Sequence, residues 1–118
     1  MTYLTNEAKQ IVEELRKDRL RRENVKVKPY LARLEKAMKN IDASELEQIA
    51  GGLDDCSGDL FLVNYDAGEE LHSVMMDVGR IGRMMHDEFF PYTPEEATEE
   101  LAKEYKRLKK VITKYNLD

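Results

Sequence analysis

Only one cysteine, Cys56, occurs in the 118-residue chain, so no internal disulfide can form. A lone thiol fits a reducing, cytoplasmic setting. Apolar residues never run longer than Leu60-Phe61-Leu62-Val63. That is far short of the roughly 20 needed to cross a bilayer, and no membrane contact is expected. The opening MTYLTNEAKQ has neither the basic nor the apolar stretch of a secretion signal. Histidine occurs twice, at His72 and His86, and no Cys/His cluster has zinc-binding spacing. No glycine-rich loop is present to cradle a phosphate. These absences leave acid–base, metal and nucleotide chemistry with little to work with, and no cofactor is expected.

Charge is abundant instead. Asp, Glu, Lys and Arg make up 36% of the residues, where about 25% is usual for a globular domain. The sign is unevenly spread. Residues 1–41 hold eleven basic against six acidic groups, a net +5. Residues 42–100 hold two against sixteen, a net −14. Residues 101–118 return to six against two, a net +4. Basic helices folded beside acidic ones would neutralise one another. Alternatively, the basic start offers a surface to an acidic partner or to nucleic acid.

Apolar periodicity of about 3.6 residues points to helices throughout. A first helix capped by Thr5 carries Ala8, Ile11, Val12 and Leu15 on one stripe. That stripe gives way to RKDRLRRENVKVK (residues 16–28), with seven basic and two acidic residues. The C-terminal half of this helix is therefore expected to project beyond the core. Pro29 suits the first turn of a second helix. Asp42 or Ser44 can cap a short third helix, which Gly51-Gly52 is expected to stop, with LDDCSGD as a loop. A fourth helix is expected to start near Asp59, with a break at Asn64–Gly68. Its seam is Leu71, Met75, Val78, Gly82, Met85 and Phe89, and Pro91 ends it. Thr93, Pro94 and Glu96 form the clearest helix start in the chain, a capping box ahead of Ala97, Leu101, Tyr105, Leu108, Ile112 and Tyr115. The segment FLVNY is the one strand candidate and has no partner. The expected fold is a single all-α domain over residues 1–118: a small bundle of four to five helices, mostly antiparallel.

The stretch VGRIGRMMH places two glycines inside the fourth helix, where each costs about 1 kcal/mol relative to alanine. With Leu71 as origin, Gly82 falls at about 20°, within the seam, and Gly79 at about 80°, beside it. The reading for Gly82 is structural: it admits a neighbouring helix. Gly79 belongs to a second stripe with His72, Met76, Arg83 and His86. Such a stripe fits an ordinary core-to-solvent boundary, the contact face of a homodimer or partner helix, or the lining of an anion pocket.

Three spacings resemble chemistry. Glu69-x-x-His72 has the form of one half of a di-iron ligand pair, but the second half is missing. Asp55, Ser57 and Asp59 alternate as in a calcium loop, but Leu60 stands where the glycine belongs. Arg80 and His86 satisfy Arg-x5-His, which resembles the catalytic motif of the HEPN ribonucleases, themselves helical bundles that act without metal. That resemblance rests on two residues, with Ile81 where the family usually has a polar side chain. It implies metal-independent RNA cleavage as an alternative activity. The leading expectation is a non-enzymatic interaction or regulatory module. It would bind through the basic helix end (Arg16, Arg19, Arg21, Arg22) and the flank formed by His72, Met76, Gly79, Arg83 and His86. Its partner would be another protein or a second copy. Nucleic acid at residues 16–28 is the alternative.

Overall fold

A computed structural model describes residues 5–118, with the side chains of 16–24 outside that description. Five helices follow in order: α1 (Asn6–Asn24), α2 (Lys28–Lys39), α3 (Ala43–Val63), α4 (Tyr65–Met84) and α5 (Pro94–Tyr115). No strand occurs among the described residues, and FLVNY is helical up to Val63.

The helix ends follow from local chemistry. Thr5 accepts a hydrogen bond from the Ala8 amide at 3.1 Å, and Asp42 accepts one from the Ser44 amide at 3.0 Å. Asn64 serves two helices at once. Its amide donates to the Leu60 carbonyl at 2.7 Å, closing α3, and its side chain accepts from the Ala67 amide at 3.2 Å, opening α4. Thr93 and Glu96 form the reciprocal box at the start of α5, with bonds of 3.2 and 3.3 Å. Asn116 ends α5 in the left-handed region at φ 53°, which asparagine tolerates better than most residues.

Helices α2 to α5 form an up-down-up-down ring. Each packs on its two neighbours, with α2 closing onto α5. Lys114–Glu70 and Arg107–Asp77 bridges show α5 antiparallel to α4, and Arg33–Glu45 does the same for α2 and α3. Leu34, Leu46, Ile49, Leu53, Leu71, Ile81, Leu101 and Leu108 are sealed from solvent in the centre. Each such side chain contributes about 1.5–3 kcal/mol by leaving water.

Two expectations need correction. The first is that α3 stops at Gly51-Gly52. It runs on to Val63, through both glycines and through the supposed loop. A side chain at Gly52 would overlap the Tyr30 ring at its Cε1, Cζ and hydroxyl. That glycine is a notch for α2, not a terminator. Gly51 and Gly58 face open space and cost only helix propensity. Replacing both by alanine is expected to raise stability by about 1–2 kcal/mol, or roughly 3–10 °C in Tm, measured by thermal melts. An unchanged or lowered Tm would mean those glycines make contacts the fold does not show.

The second concerns α1. The sequence suggests that its basic half projects and its apolar half is core. The apolar half is not core: α1 packs on α3, yet Ile11, Val12 and Leu15 remain 56%, 47% and 63% exposed, while the side chains of the basic half lie outside the described residues. The dimensions agree. Helices of 20–22 residues span about 30–33 Å, yet the molecule is 69 Å long with a radius of gyration of 17.9 Å. A compact chain of this length would have a radius near 13–14 Å. Helix α1 supplies the difference by standing off one end. Its base is pinned: Val25 and Val27 are buried, and the amides of Val27 and Lys28 donate to the Asp118 carbonyl oxygen.

Candidate functional site

The α4 flank predicted as a binding stripe is not one surface. Gly79 is buried, and a Cβ there would lie 3.5 Å from the Ala50 Cβ of α3. Close approach at this glycine is used within the chain. Gly82 behaves as its phase suggests, with an added Cβ falling 3.3 Å from the Ala43 carbonyl oxygen. His72 lies with Nδ1 3.9 Å from Asp54 Oδ1 and its ring centroid 6.1 Å from that of Phe61. Met76 is 51% exposed. Arg83 is exposed, and its guanidinium Nη1 comes within 3.3 Å of the Cβ position at Gly79. His86 is exposed beyond the end of α4, its amide donating to the Arg83 carbonyl at 3.0 Å. The side chains of Arg16, Arg19, Arg21 and Arg22 lie outside the described residues; the backbone places all four on α1.

The Arg-x5-His pair is spread over a helix and the turn after it. Arg80 is held by Asp77 at 3.8 Å and donates to the Tyr92 hydroxyl at 3.3 Å. The calcium-like residues Asp55, Ser57 and Asp59 are helical, and Ser57 donates its hydroxyl to the Asp54 carbonyl at 2.9 Å. Among the described residues no three His, Cys, Asp or Glu side chains gather as a metal site would require. Burial, reinforced by Asp59 and Asp55, pushes the Cys56 thiol above its ordinary range. That is the opposite of what a nucleophilic thiolate needs.

Sequence reasoning missed three features. Arg107 of α5 donates to both Glu104 oxygens at 2.9 and 2.8 Å, to Ser73 at 2.6 Å and to Asp77 of α4. Burial pushes the Glu104 carboxyl above its ordinary range despite Arg107 beside it. Burial likewise works against the Arg107 charge, but bonds to Glu104 and Asp77 outweigh it and hold that guanidinium above its usual value. Beside this cluster runs an open groove of about 550 Å³ lined by Glu69, Glu70, Lys110 and Lys114. Lys114 is already engaged by Glu70 at 3.1 Å. The second feature is the loop after α4. The seam was expected to reach Phe89, but α4 ends at Met84, and Phe89 and Phe90 are 79% and 81% exposed. The third is the unburied apolar half of α1. Its stripe is visible in the sequence; what the sequence cannot show is that nothing in the bundle covers it.

No relative comes to light. The sequence matches no protein-family model, and comparison with curated proteins and with solved structures finds no match. No helix among the described residues is long and apolar enough to cross a membrane.

Proposed function

We propose that the chain is a non-enzymatic protein–protein interaction module, acting as an adaptor, inhibitor or small regulatory subunit in the cytoplasm. The observation that carries this is the exposure of Ile11, Val12 and Leu15 on a helix standing off the bundle. An isolated helix of this length is marginal in water, and an amphipathic helix gains most of its stability from whatever covers its apolar face. A partner groove that buried these three side chains would gain about 1.5–3 kcal/mol from each if burial were complete. The basic second half of α1 supplies long-range attraction to an acidic partner. Of the predicted flank, Met76, Arg83 and His86 remain on the surface as secondary contacts.

Seven basic residues among the thirteen from Arg16 to Lys28 favour one other reading, a regulator that contacts nucleic acid phosphates. Crosslinked affinity capture from the native host separates the two. The Ile11→Asp/Leu15→Asp variant is expected to lose at least about tenfold of the captured protein while keeping the wild-type melting temperature, and nuclease should change nothing. Equal capture by both forms would overturn the interaction reading. Capture that disappears with nuclease would replace it with the nucleic-acid one.

A further inference from the structure

The loop between α4 and α5 presents two aromatic side chains on a fixed support. Phe89 and Phe90 stand out of it almost fully exposed. The Asp87 carboxylate accepts from the Phe90 amide at 2.7 Å. The Tyr92 amide donates to the Met84 carbonyl at 2.8 Å, and Arg80 donates to the Tyr92 hydroxyl. Pro91 restricts the backbone of Phe90 before it. The loop is therefore ordered before any contact, which lowers the entropy cost of docking. Its surroundings are acidic, with six acidic and no basic groups over residues 84–100. That charge repels nucleic acid and anionic lipid and calls for a seat that is apolar and basic.

Such a seat lies toward the other end of the same molecule. Lys106, Lys109, Lys110, Thr113 and Lys114 enclose an open channel of about 420 Å³ on the exposed face of α5. Its walls are the apolar stems of four lysines, each tipped by an ammonium group. Lys114 is held by Glu70, and Lys106, Lys109 and Lys110 have no acidic partner among the described residues. Rings lying against these stems also meet cations over their faces, while Asp87 and Glu88 beside them meet the ammonium groups. Two other grooves suit the loop less. Glu95 and Glu99 line the one between α2 and α5, and Glu69 and Glu70 line the one beside Arg107. Loop and channel cannot meet within one copy. Lys106 lies about 18 Å along α5 from Pro94, whereas pinned Tyr92 keeps Phe90 within about 7 Å of itself.

We propose that copies of the chain associate head to tail, the Phe89–Phe90 loop of one seated in the lysine channel of the next. The contact is separate from α1 and goes beyond the interaction reading. Because its two surfaces differ, every pair leaves one loop and one channel unused, and growth does not stop at two copies. Two aromatic side chains bury about 150–250 Å² each, well under the roughly 800 Å² per partner of a standard interface. The dissociation constant is therefore expected on the order of 100 µM, rising with salt as the charges are screened.

Sedimentation of the purified full chain from about 10 µM to about 1 mM brackets that constant. The mean mass should climb from 13.8 kDa past twice that value, and about 0.5 M salt should return it to the monomer. Phe89→Ser/Phe90→Ser removes the loop contact, and Lys106→Glu/Lys109→Glu removes the channel. All four side chains are exposed, so both variants should melt like the wild type, and each alone should stay monomeric. Mixed, they hold one intact loop and one intact channel between them and should form a dimer that grows no further. Ile11→Asp/Leu15→Asp should leave the association untouched. A wild-type monomer up to the highest concentration would overturn the proposal. So would association that survives either variant or high salt, a mixture of the two that stays monomeric, or loss of association with the α1 aspartates alone. None of these results touches the α1 reading, which the capture experiment decides.

Discussion

Arg107→Ala is expected to lower the free energy of unfolding by about 2–3 kcal/mol. The guanidinium joins α5 to α4 by bonding Glu104, Asp77 and Ser73 together. Without it, Glu104, whose side chain is only 9% exposed, keeps a charge in a poorly solvated place with Asp77 nearby. Breaking one partner of a buried pair typically costs about 3–5 kcal/mol. The lower figure applies because the Arg107 side chain is itself 41% exposed and solvent screens the pair. The pH dependence has a definite sign. The Glu104 carboxyl already sits above its ordinary range in the folded chain, so its contribution is fully present below the unfolded value and is lost as pH rises through the folded one. Removing Arg107 takes away a cation that lowers it, pushing it higher still. The deficit of the variant should therefore shrink as pH falls from 7.5 toward 5. Urea melts at both values measure it, and a deficit independent of pH would mean that lost packing, not an unpaired carboxylate, is responsible. Replacing the pair together, as Glu104→Gln/Arg107→Met, should restore most of the loss.

Gly68→Ala should cost about 2 kcal/mol, against the usual expectation that alanine improves a helix. An added Cβ would stand 2.7 Å from the Phe61 amide nitrogen and 2.9 Å from its Cα. Those are backbone atoms of α3 next to the turn and cannot swing aside. Forcing the hairpin open costs about 1–3 kcal/mol, and the propensity gain of up to about 1 kcal/mol offsets part of it. Gly79→Ala makes the matched control. Its nearest obstacles are the end of the Arg83 side chain at 3.3 Å and the Ala50 Cβ at an ordinary 3.5 Å, so it should be neutral or mildly stabilising. Denaturant melts of the two variants decide the matter, and similar effects at both positions would refute the distinction.

How far the sequence was legible can be judged from these same residues. The α5 start was readable because Thr93, Pro94 and Glu96 satisfy their helix end with neighbours three residues away. The break near Asn64 was readable only in part: the sequence suggests a helix from near Asp59 broken over Asn64–Gly68, whereas Asn64 alone interrupts, residues before it belong to α3, and α4 starts at Tyr65. Gly52 was misread because its cause is the Tyr30 ring, a contact made across more than twenty residues. Gly79 was placed on a flank by phase alone, but Ala50 is small enough for α3 to advance over it and widen the buried sector of α4. The α1 stripe shows the limit most clearly. Periodicity reports which side of a helix requires cover, and it is silent on whether its own chain provides it. The Glu104–Arg107–Asp77 cluster carried no sequence signal, since on α5 alone it is an ordinary pair one turn apart.

The single-residue link at Asn64 has a consequence for how the molecule comes into being. Closing a loop costs entropy that grows with its length, and the α3–α4 pairing closes almost none. Its contacts are the most local between long helices in the chain, and local contacts are what make helical proteins quick to fold. During synthesis the hairpin is complete once residue 84 has emerged, before α5 has left the ribosome. It can offer α2 one face at once, and α5, arriving last, finds the groove that its capping box and apolar stripe fit.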